Sequence, residues 1–312
     1  MPESLPSTTP SAALPLPEVK VLNAGTTTTD EVVEALRDAG GCIVRGLIGT
    51  AHVDQIEKDL RPYLNADKSW DGKFYPPETR RCCGLLGKSR TFALQVIGNR
   101  LWNDVCDALL TSTLSTNWVG NDIEESISHP QLSNTICFSI GPGAADQPLH
   151  RDDDVHHHHL KAVGKHEIGR DVGVGLFVAG KKATKANGAT RFIPGSHLWD
   201  YSQGPPREEQ TFYAEMQPGD AFFMLSGCFH GGSANRTENE ERLMYSCFFT
   251  RGWLRQEENQ ILANPIEAIR VLPEWLQERV GFGLSRPFLG WVDLANPMHI
   301  LHPEKIKQRD LW

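Results

Sequence analysis

The 312-residue sequence has no apolar run that approaches the roughly 20 residues a membrane-spanning helix requires. It also has no excess of positive charge, since 31 Lys and Arg stand against 39 Asp and Glu and give a formal net charge of −8. A general nucleic-acid surface needs clustered positive charge, so this balance argues against one. With 39% hydrophobic and 22% charged residues, the composition is that of an ordinary globular protein.

Paired cysteine patterns are missing as well. The seven cysteines are an odd number, they are scattered along the chain, and none form a C-x-x-C pair. Such a set is typical of reduced thiols in a cytoplasmic protein, mostly buried as small hydrophobic groups. The chain begins Met1-Pro2-Glu3-Ser4, without the basic and then apolar pattern of a secretory signal, which also favours a cytoplasmic location.

Nucleotide-binding motifs are also lacking, because no G-x-G-x-x-G follows a strand pattern and there is no G-K-[ST] loop. Instead, from about Thr135 onward, short apolar runs alternate with Gly, Pro and Asn turns. Several short strands joined by turns predict a mainly β fold, a β-sandwich or jelly roll, rather than alternating βαβ units. The apolar runs are 136–140, 172–178, 190–193, 221–225 and 243–249.

Helical patterns flank these strands. Thr28 and Glu31 have the spacing of a capping box ahead of an apolar face, and Gly40-Gly41 ends this first helix. Similar periodicity predicts three more helices: from about Thr50 with Pro62 near its end, around 97–109, and at about 266–280 with a break at Pro273.

We divide the chain into a tail and one domain. Residues 1–18 are rich in Ser, Thr and Pro with almost no charge, a composition typical of a flexible tail. Residues 19–312 are predicted to form a single domain, with a β core at about 135–255 and helical cladding before and after it.

The residues that point to chemistry are an H-x-D motif, His150-Arg151-Asp152, and the distant His230. An imidazole and a carboxylate two residues apart can converge on a metal from one strand edge. A second imidazole from another strand then completes one face of the metal. This two-histidine, one-carboxylate arrangement suits Fe(II), because the remaining positions stay open for a co-substrate and O2. We therefore predict His150, Asp152 and His230 as metal ligands.

Two further residues fit a carboxylate co-substrate beside that metal. Arg242 follows His230 by twelve residues and begins an apolar run, so it is predicted to point into the same barrel. Its planar guanidinium matches a carboxylate, and burying it is costly unless an anion meets it. Gln147 lies three residues before His150 and can donate its amide to the other carboxylate.

Six short motifs occur in a recognisable order: Gln147-Pro148-Leu149-His150-Arg151-Asp152, Asn187-Gly188-Ala189-Thr190, Pro194-Gly195-Ser196-His197, Pro218-Gly219-Asp220, His230-Gly231-Gly232 and Arg242. In order and spacing they resemble the phytanoyl-CoA dioxygenase family. The resemblance is to its fungal branch of iron- and 2-oxoglutarate-dependent oxygenases that act on alkaloids and meroterpenoids. It runs from about residue 30 to 255 and implies a double-stranded β-helix, or jelly roll, with flanking helices.

The resemblance also implies roles for individual residues. It matches one set to the iron ligands and another to contacts with 2-oxoglutarate, in which Arg242 holds the distal carboxylate. The implied cofactor and co-substrates are Fe(II), 2-oxoglutarate and O2, and the implied assembly is a homodimer. The iron ligands are His150, Asp152 and His230, and the 2-oxoglutarate contacts are Gln147, Thr190 and Arg242.

Substrate contacts are less sharply defined. The segment before the barrel lines the pocket in relatives, with core packing as an equal alternative, and it holds Phe74, Tyr75, Arg81 and Cys82. His157 is a further candidate, although an exposed, mobile loop is the favoured interpretation of the run of four histidines around it.

These features predict a non-haem iron and 2-oxoglutarate-dependent oxygenase that oxidises a C–H bond of a small organic substrate, releasing succinate and CO2. A fungal-type secondary metabolite is the expected substrate, with no nucleic-acid or membrane partner. Two alternatives stay open. One is an acyl-CoA hydroxylase, for which the basic loop Lys181, Lys182 and Lys185 is a weak phosphate-binding signal. The other is a jelly-roll protein that binds metal or ligand without turnover.

Overall fold

The structure, a computed structural model, describes residues 16–69, 71–72, 74–202, 206 and 208–305. Residues 1–15 of the predicted tail lie outside these ranges. The strands are β1 Val21–Asn23, β2 Gly41–Arg45, β3 Thr79–Cys83, β4 Ser112–Val119, β5 Asp122–Ser128, β6 Gln131–Ile140, β7 Gly173–Ala179, β8 Thr190–Phe192, β9 Phe212–Tyr213, β10 Ala221–Leu225, β11 His230–Gly232 and β12 Arg242–Thr250.

Short helices flank the strands, with π-helical turns at Ala93–Ile97 and Glu278–Phe282. The α-helices are α1 Thr29–Ala39, α2 Thr50–Ala66, α3 Leu85–Lys88, α4 Arg90–Phe92, α5 Arg100–Leu110, α6 Gln260–Ala263, α7 Ile266–Arg270, α8 Glu274–Gln277 and α9 Met298–Leu301. In the described ranges, no helix is both long enough and apolar enough to span a bilayer.

Seven strands form one large sheet in the order β1-β2-β10-β7-β12-β6-β3. Neighbouring strands are antiparallel except for the parallel pair β1 and β2. The long strand β12 pairs with β6 on one side and β7 on the other. Three strands of this sheet, β1 to β3, come from before residue 135, so the N-terminal part of the chain contributes to the β architecture as well as to its cladding.

A smaller sheet, in the order β11-β8-β9, packs against one face of the large sheet. Phe192 of β8 meets Phe222 of β10 there, with ring centroids 4.8 Å apart. Two facing sheets built from short antiparallel strands are the jelly-roll arrangement that the turn-rich pattern predicts.

Helices cover the opposite face of the large sheet. Successive side chains of a strand point to opposite faces. Phe222 therefore faces the small sheet, while Phe223 faces α5, where the ring of Trp102 lies 5.6 Å from its own. Trp102 also contacts Phe249 of β12 at 5.3 Å. Because both faces are covered, β7 and β10 are buried along their whole length, which explains why their sequences are continuously apolar.

The helix predictions hold with local differences. The hydroxyl of Thr28 accepts a hydrogen bond from the backbone of Glu31, and the Glu31 carboxylate accepts one from Thr28, so α1 has the predicted capping box. Pro62 lies in α2 about one turn before its end, as predicted, and the helix continues past it and buries Leu64. The predicted C-terminal helix does break at Pro273, between α7 and α8.

Several β elements have no counterpart in the sequence predictions, and the longest of them are β3 and the hairpin β4-β5. Strand β3 falls in a segment without a clear apolar pattern, and β4 and β5 form a separate two-stranded hairpin. The hairpin exposes its apolar side chains: Leu114 is 52% and Ile123 74% exposed. Because no continuous buried run marks these strands, periodicity alone does not reveal them.

The seven cysteines are all free thiols, and six of them are buried, with Cys83 exposed. Burial raises the pKa of every one of these thiols. For Cys83 the pKa rises to about 11. The sequence-based expectation of mostly buried, unpaired cysteines is therefore confirmed.

Gly219 and Gly143 share a backbone conformation but differ in how closely other atoms surround them. Both have left-handed backbone, with φ of 86° and 84°. A Cβ at Gly219 would lie 2.1 Å from the carbonyl oxygen of Ile48, whereas a Cβ at Gly143 would meet nothing within 4 Å. We expect Gly143→Ala to cost about 1–2 kcal/mol of unfolding free energy from backbone strain, and Gly219→Ala clearly more. Urea denaturation measures both, and equal losses would contradict the clash.

Candidate metal centre and adjoining cavity

An isolated antiparallel bridge joins His150 to His230. The amide of His150 donates to the carbonyl of His230 at 3.0 Å, and the amide of His230 donates back at 2.9 Å. Two residues on, the amide of Asp152 donates to the carbonyl of Ser226 at 3.0 Å. The H-x-D segment is therefore tied to β11 at His150 and to the turn before β11 at Asp152. These backbone bonds bring the three predicted ligand residues to one edge of the small sheet.

The side chains of these three residues converge. Nε2 of His150 lies 3.5 Å from Oδ1 of Asp152, and Nε2 of His230 lies 3.3 Å from Oδ2 of the same carboxylate. One candidate ligand atom from each residue lies within 4.8 Å of the other two. In the part of the chain that the structure describes, this is the one group of three or more His, Cys, Asp or Glu side chains arranged to hold a metal ion.

Carbonyl groups orient both imidazoles. Nδ1 of His150 lies 2.9 Å from the carbonyl of Pro148, and Nδ1 of His230 lies 3.2 Å from the carbonyl of Cys228. A carbonyl only accepts, so Nδ1 carries the proton and each Nε2 keeps a lone pair facing Asp152. This is the tautomer that a metal ligand needs.

The charges of the three side chains also suit a cation. Burial alone would raise the pKa of Asp152, but the neighbouring His230 and His150 lower it overall. Burial has the largest effect on the pKa of each imidazole and lowers it at His230. At His150 the effects of the neighbouring Asp152 carboxylate and, to a smaller extent, of the Pro148 carbonyl and Asp154 together exceed the effect of burial and raise the pKa. Oδ2 of Asp152 is buried and accepts no hydrogen bond from the described residues. An ionised, under-satisfied carboxylate between two imidazoles fits a divalent cation.

Arg151, the middle residue of the motif, packs on the other side of the segment. Its guanidinium lies between the rings of Tyr201 and Phe229, 3.9 and 3.8 Å from their centroids. Its Nε donates to the carbonyl of Gly227 at 2.9 Å. Alternation along an extended chain places Arg151 opposite His150 and Asp152, so this stacking fixes the orientation of both.

Asp153 and Asp154 stand beside Asp152 in the sequence but lie outside the three-residue group. Asp153 is buried and accepts a hydrogen bond from the Tyr201 hydroxyl at 2.5 Å. Asp154 is exposed, and burial together with the nearby Asp153 raises its pKa. The spacing argument for Asp152 agrees with this geometry.

Arg242 begins β12 and is buried, with 4% of its surface exposed. One terminal nitrogen donates to Oγ1 of Thr190 at 2.6 Å, while its buried Nε has no partner among the described residues. No acidic side chain in those ranges lies within 4.0 Å of it, and burial lowers its pKa to about 10. A buried guanidinium without an anion is costly, so this geometry is that of a site that receives one.

Gln147 and Thr190 lie at the same end of the site. The side-chain carbonyl of Gln147 accepts a hydrogen bond from the amide of Gly232 at 3.1 Å, which fixes the orientation of its side chain. Gln147, Thr190 and Arg242 all line the cavity that also contains His150, Asp152 and His230. The structure thus brings the six residues implied for metal and co-substrate into one cavity.

The cavity has a volume of about 460 Å³ and a largely aromatic wall. The ring of Phe74 lies 5.0 Å from that of His150, and Tyr75 lies 5.7 Å from Phe138. Two of the residues predicted as substrate contacts, Phe74 and Tyr75, therefore line the cavity.

The other three predicted substrate contacts do not line it. The backbone amide of Arg81 donates to Asp67 at 2.8 Å, and its guanidinium lies over the ring of Tyr75, 5.3 Å from the centroid. Cys82 is buried in the sheet opposite Cys137. His157 is exposed in a turn with a left-handed φ of 55°. A role for these residues in substrate binding stays a prediction that their positions do not favour.

Several cavity residues were missed by the sequence analysis. Counting every second residue from Arg242 along β12 reaches Ser246 and Phe248, so strand alternation was a usable signal for those two. The same alternation along β6 gives Asn134, Ile136, Phe138 and Ile140. No sequence pattern indicates Glu257, because it lies in a loop after β12 that reaches the cavity only through tertiary contacts.

Residues 36–244 match the family model described as "Phytanoyl-CoA dioxygenase (PhyH)". The chain belongs to the phytanoyl-CoA dioxygenase family and is by that membership an oxidoreductase of the dioxygenase class.

Curated relatives from fungi agree with this assignment. The chain is 44% identical over 282 residues to dioxygenase peniF of Penicillium patulum, covering 90% of this chain and 91% of that one. It is 39% identical over 294 residues to dioxygenase cnsJ of Penicillium expansum, covering 92% and 87%.

Solved structures show the same fold at low sequence identity. One is the non-haem α-ketoglutarate-dependent carbocyclase SnoK from nogalamycin biosynthesis, with a TM-score of 0.54, 13% identity and coverage of 76% of this chain and 89% of that chain. Another is HygX from Streptomyces hygroscopicus, with nickel and 2-oxoglutarate bound, with a TM-score of 0.52, 16% identity and coverage of 74% and 90%. These similarities confirm the jelly-roll fold.

Removing one imidazole tests the metal centre. We expect His150→Ala to weaken binding of Fe(II), measured by anaerobic calorimetry, by at least about 100-fold, because one of three ligands is lost. The matched control is His52→Ala, which removes an exposed imidazole from α2, distant in the sequence from His150. An affinity in His150→Ala equal to that of the control would rule out this assignment.

Proposed function

We propose that this protein is a non-haem iron and 2-oxoglutarate-dependent oxygenase that oxidises a C–H bond of a small organic substrate. The observation that carries the proposal is a buried guanidinium, Arg242, facing the same cavity as the convergent side chains of His150, Asp152 and His230. The three convergent side chains suit a divalent metal, and the Arg242 guanidinium suits a carboxylate. A dicarboxylate of the size of 2-oxoglutarate uses both.

The metal and co-substrate define the chemistry. When bound, Fe(II) with 2-oxoglutarate and O2 supplies oxidation of a C–H bond, with release of succinate and CO2. Imidazole nitrogens with one carboxylate are a donor set that suits Fe(II) and leaves open positions, so the residues present fit this group.

The residues of the chain then have distinct tasks. His150, Asp152 and His230 hold the metal from one side. Arg242 pairs with the distal carboxylate of 2-oxoglutarate, with Thr190 fixing the guanidinium by its 2.6 Å hydrogen bond. Carboxylates bind a fork-shaped guanidinium through two parallel hydrogen bonds, so Arg242 sets the direction of the co-substrate as well as its affinity.

The aromatic wall serves the organic substrate. Rings of Phe177 and Phe248 lie 5.4 Å apart and, with Phe74 and Tyr75, surround the space next to the metal centre. Such a wall excludes water and binds an apolar skeleton. We therefore assign substrate contacts to these rings rather than to Arg81, Cys82 or His157.

An acyl-CoA substrate is the weaker alternative. Lys181 of the basic loop is paired with Glu241 at 2.6 Å and with Glu57 at 3.7 Å. None of the three lysines of this loop lines the cavity. A fungal-type secondary metabolite stays the expected substrate. A homodimer and a cytoplasmic location remain predictions.

The oxygenase proposal has a direct test. Anaerobic addition of Fe(II) and 2-oxoglutarate should give a weak visible charge-transfer band, and admitting O2 should release succinate that depends on both. If the wild-type protein gives neither the band nor succinate, the proposal is wrong and a binding protein without turnover is the better description.

Arg242→Lys tests the co-substrate site. Lysine keeps the charge but loses the two parallel hydrogen bonds, so we expect 2-oxoglutarate to bind about 10- to 100-fold more weakly, with Fe(II) affinity unchanged. The measurement is a titration of the charge-transfer band. The control is Arg251→Lys, because Arg251 is also buried but donates to the carbonyl groups of Asp171 and Leu110. Equal 2-oxoglutarate affinity in both variants would remove Arg242 from the site.

A further inference from the structure

Two carboxylates in the cavity have no task in the proposed reaction. Asp154 and Glu257 both line it, and both side chains are exposed. Within the described ranges, neither has a basic side chain within 4.0 Å. Their negative charges are therefore available to a ligand.

Glu257 is held in place although it lies in a loop. Its backbone amide donates to the Ser133 hydroxyl at 3.2 Å, and the next amide, of Glu258, donates to the Ser133 carbonyl at 3.0 Å. The side-chain amide of Asn134 donates to one oxygen of the Glu257 carboxylate. The other oxygen accepts no hydrogen bond from the described residues. The carboxylate is thus positioned in advance, with one face open.

The cationic side chains that line the cavity already have interaction partners. Arg151 is buried, stacked between two rings and bonded to the carbonyl groups of Gly227 and Ser196. Arg242 is bonded to Thr190 and faces the co-substrate. No cationic side chain among the described lining residues is left to neutralise Asp154 and Glu257.

Aromatic rings lie beside the same carboxylate. Asn134, which holds Glu257, is the register partner of Phe248 on β12. Tyr75 and Phe248 line the same cavity as Glu257. A carboxylate in a cavity lined by aromatic rings is an environment that binds an ammonium group, through an ion pair and cation–π contacts.

We propose that Glu257, assisted by Asp154, selects substrates that carry a protonated amine. The ammonium group binds at Glu257 against the rings of Tyr75 and Phe248, and the rest of the substrate extends toward the metal centre. This inference rests on the proposed oxygenase function and narrows its substrate class to organic amines. It makes Glu257 a specificity-determining residue that touches the substrate.

Matched probes of different charge test the inference. The probes are 2-phenylethylamine, 2-phenylethanol and 3-phenylpropanoate, with the corresponding naphthyl series. Each is titrated calorimetrically into the anaerobic protein loaded with Fe(II) and 2-oxoglutarate. In at least one series, we expect the amine to bind about tenfold or more tightly than the alcohol, and the carboxylate to bind weakest.

Charge-removing variants then locate the preference. Glu257→Gln should lose about tenfold in amine affinity and leave alcohol affinity unchanged, and Asp154→Asn should lose a smaller factor. The control Glu238→Gln removes the same charge from an exposed position between β11 and β12, so it reports any effect of net charge alone. Amine preference should be retained in that control.

The outcomes separate the two proposals. No amine preference in either wild-type series, or a preference that survives unchanged in Glu257→Gln, overturns the inference. The charge-transfer band recorded in the same samples reports on the oxygenase function independently. A normal band without amine preference refutes the substrate class alone, whereas an absent band refutes the oxygenase proposal.

Discussion

The site depends on the two backbone hydrogen bonds between His150 and His230. These residues are eighty positions apart in the sequence, and the bridge sets their rings 4.5 Å apart. Closing so long a loop is unfavourable until the strands on both sides are paired. The metal centre therefore exists only in the folded protein, and metal binding stabilises the native state that creates it.

Strand β12 links this centre to the rest of the cavity. Its alternate residues run from Arg242 through Ser246 to Phe248, a span of about 20 Å at 3.3 Å per residue. The cavity is thus polarised along one strand, with a positive end at Arg242 and an aromatic, negatively charged end near Phe248 and Glu257. One rigid strand in the middle of the sheet holds both ends at a fixed separation.

Sequence patterns predicted those parts of the structure that a local constraint determines. Strands buried on both faces are continuously apolar, so β7 and β10 were evident, and the H-x-D spacing identified Asp152 over its two neighbours. The exposed hairpin β4-β5 has no such constraint and was missed. Glu257 was also missed, since nothing near it in the sequence indicates that Ser133 and Asn134 hold its loop against the cavity. Arg81 and Cys82 are close in sequence to Tyr75, but they lie in β3, whose pairing with β6 places them outside the cavity lining.

The protonated thiols of the fold affect how long such a protein remains active. A site that combines iron with O2 releases damaging oxidants whenever the co-substrate is consumed without a substrate in place. Thiolates are the cysteine form that these oxidants attack, and raised pKa values keep all seven thiols in the protonated form near neutral pH. The seven cysteine thiols thus have little susceptibility to self-inactivation, and the exposed Cys83 is where damage would first be recorded.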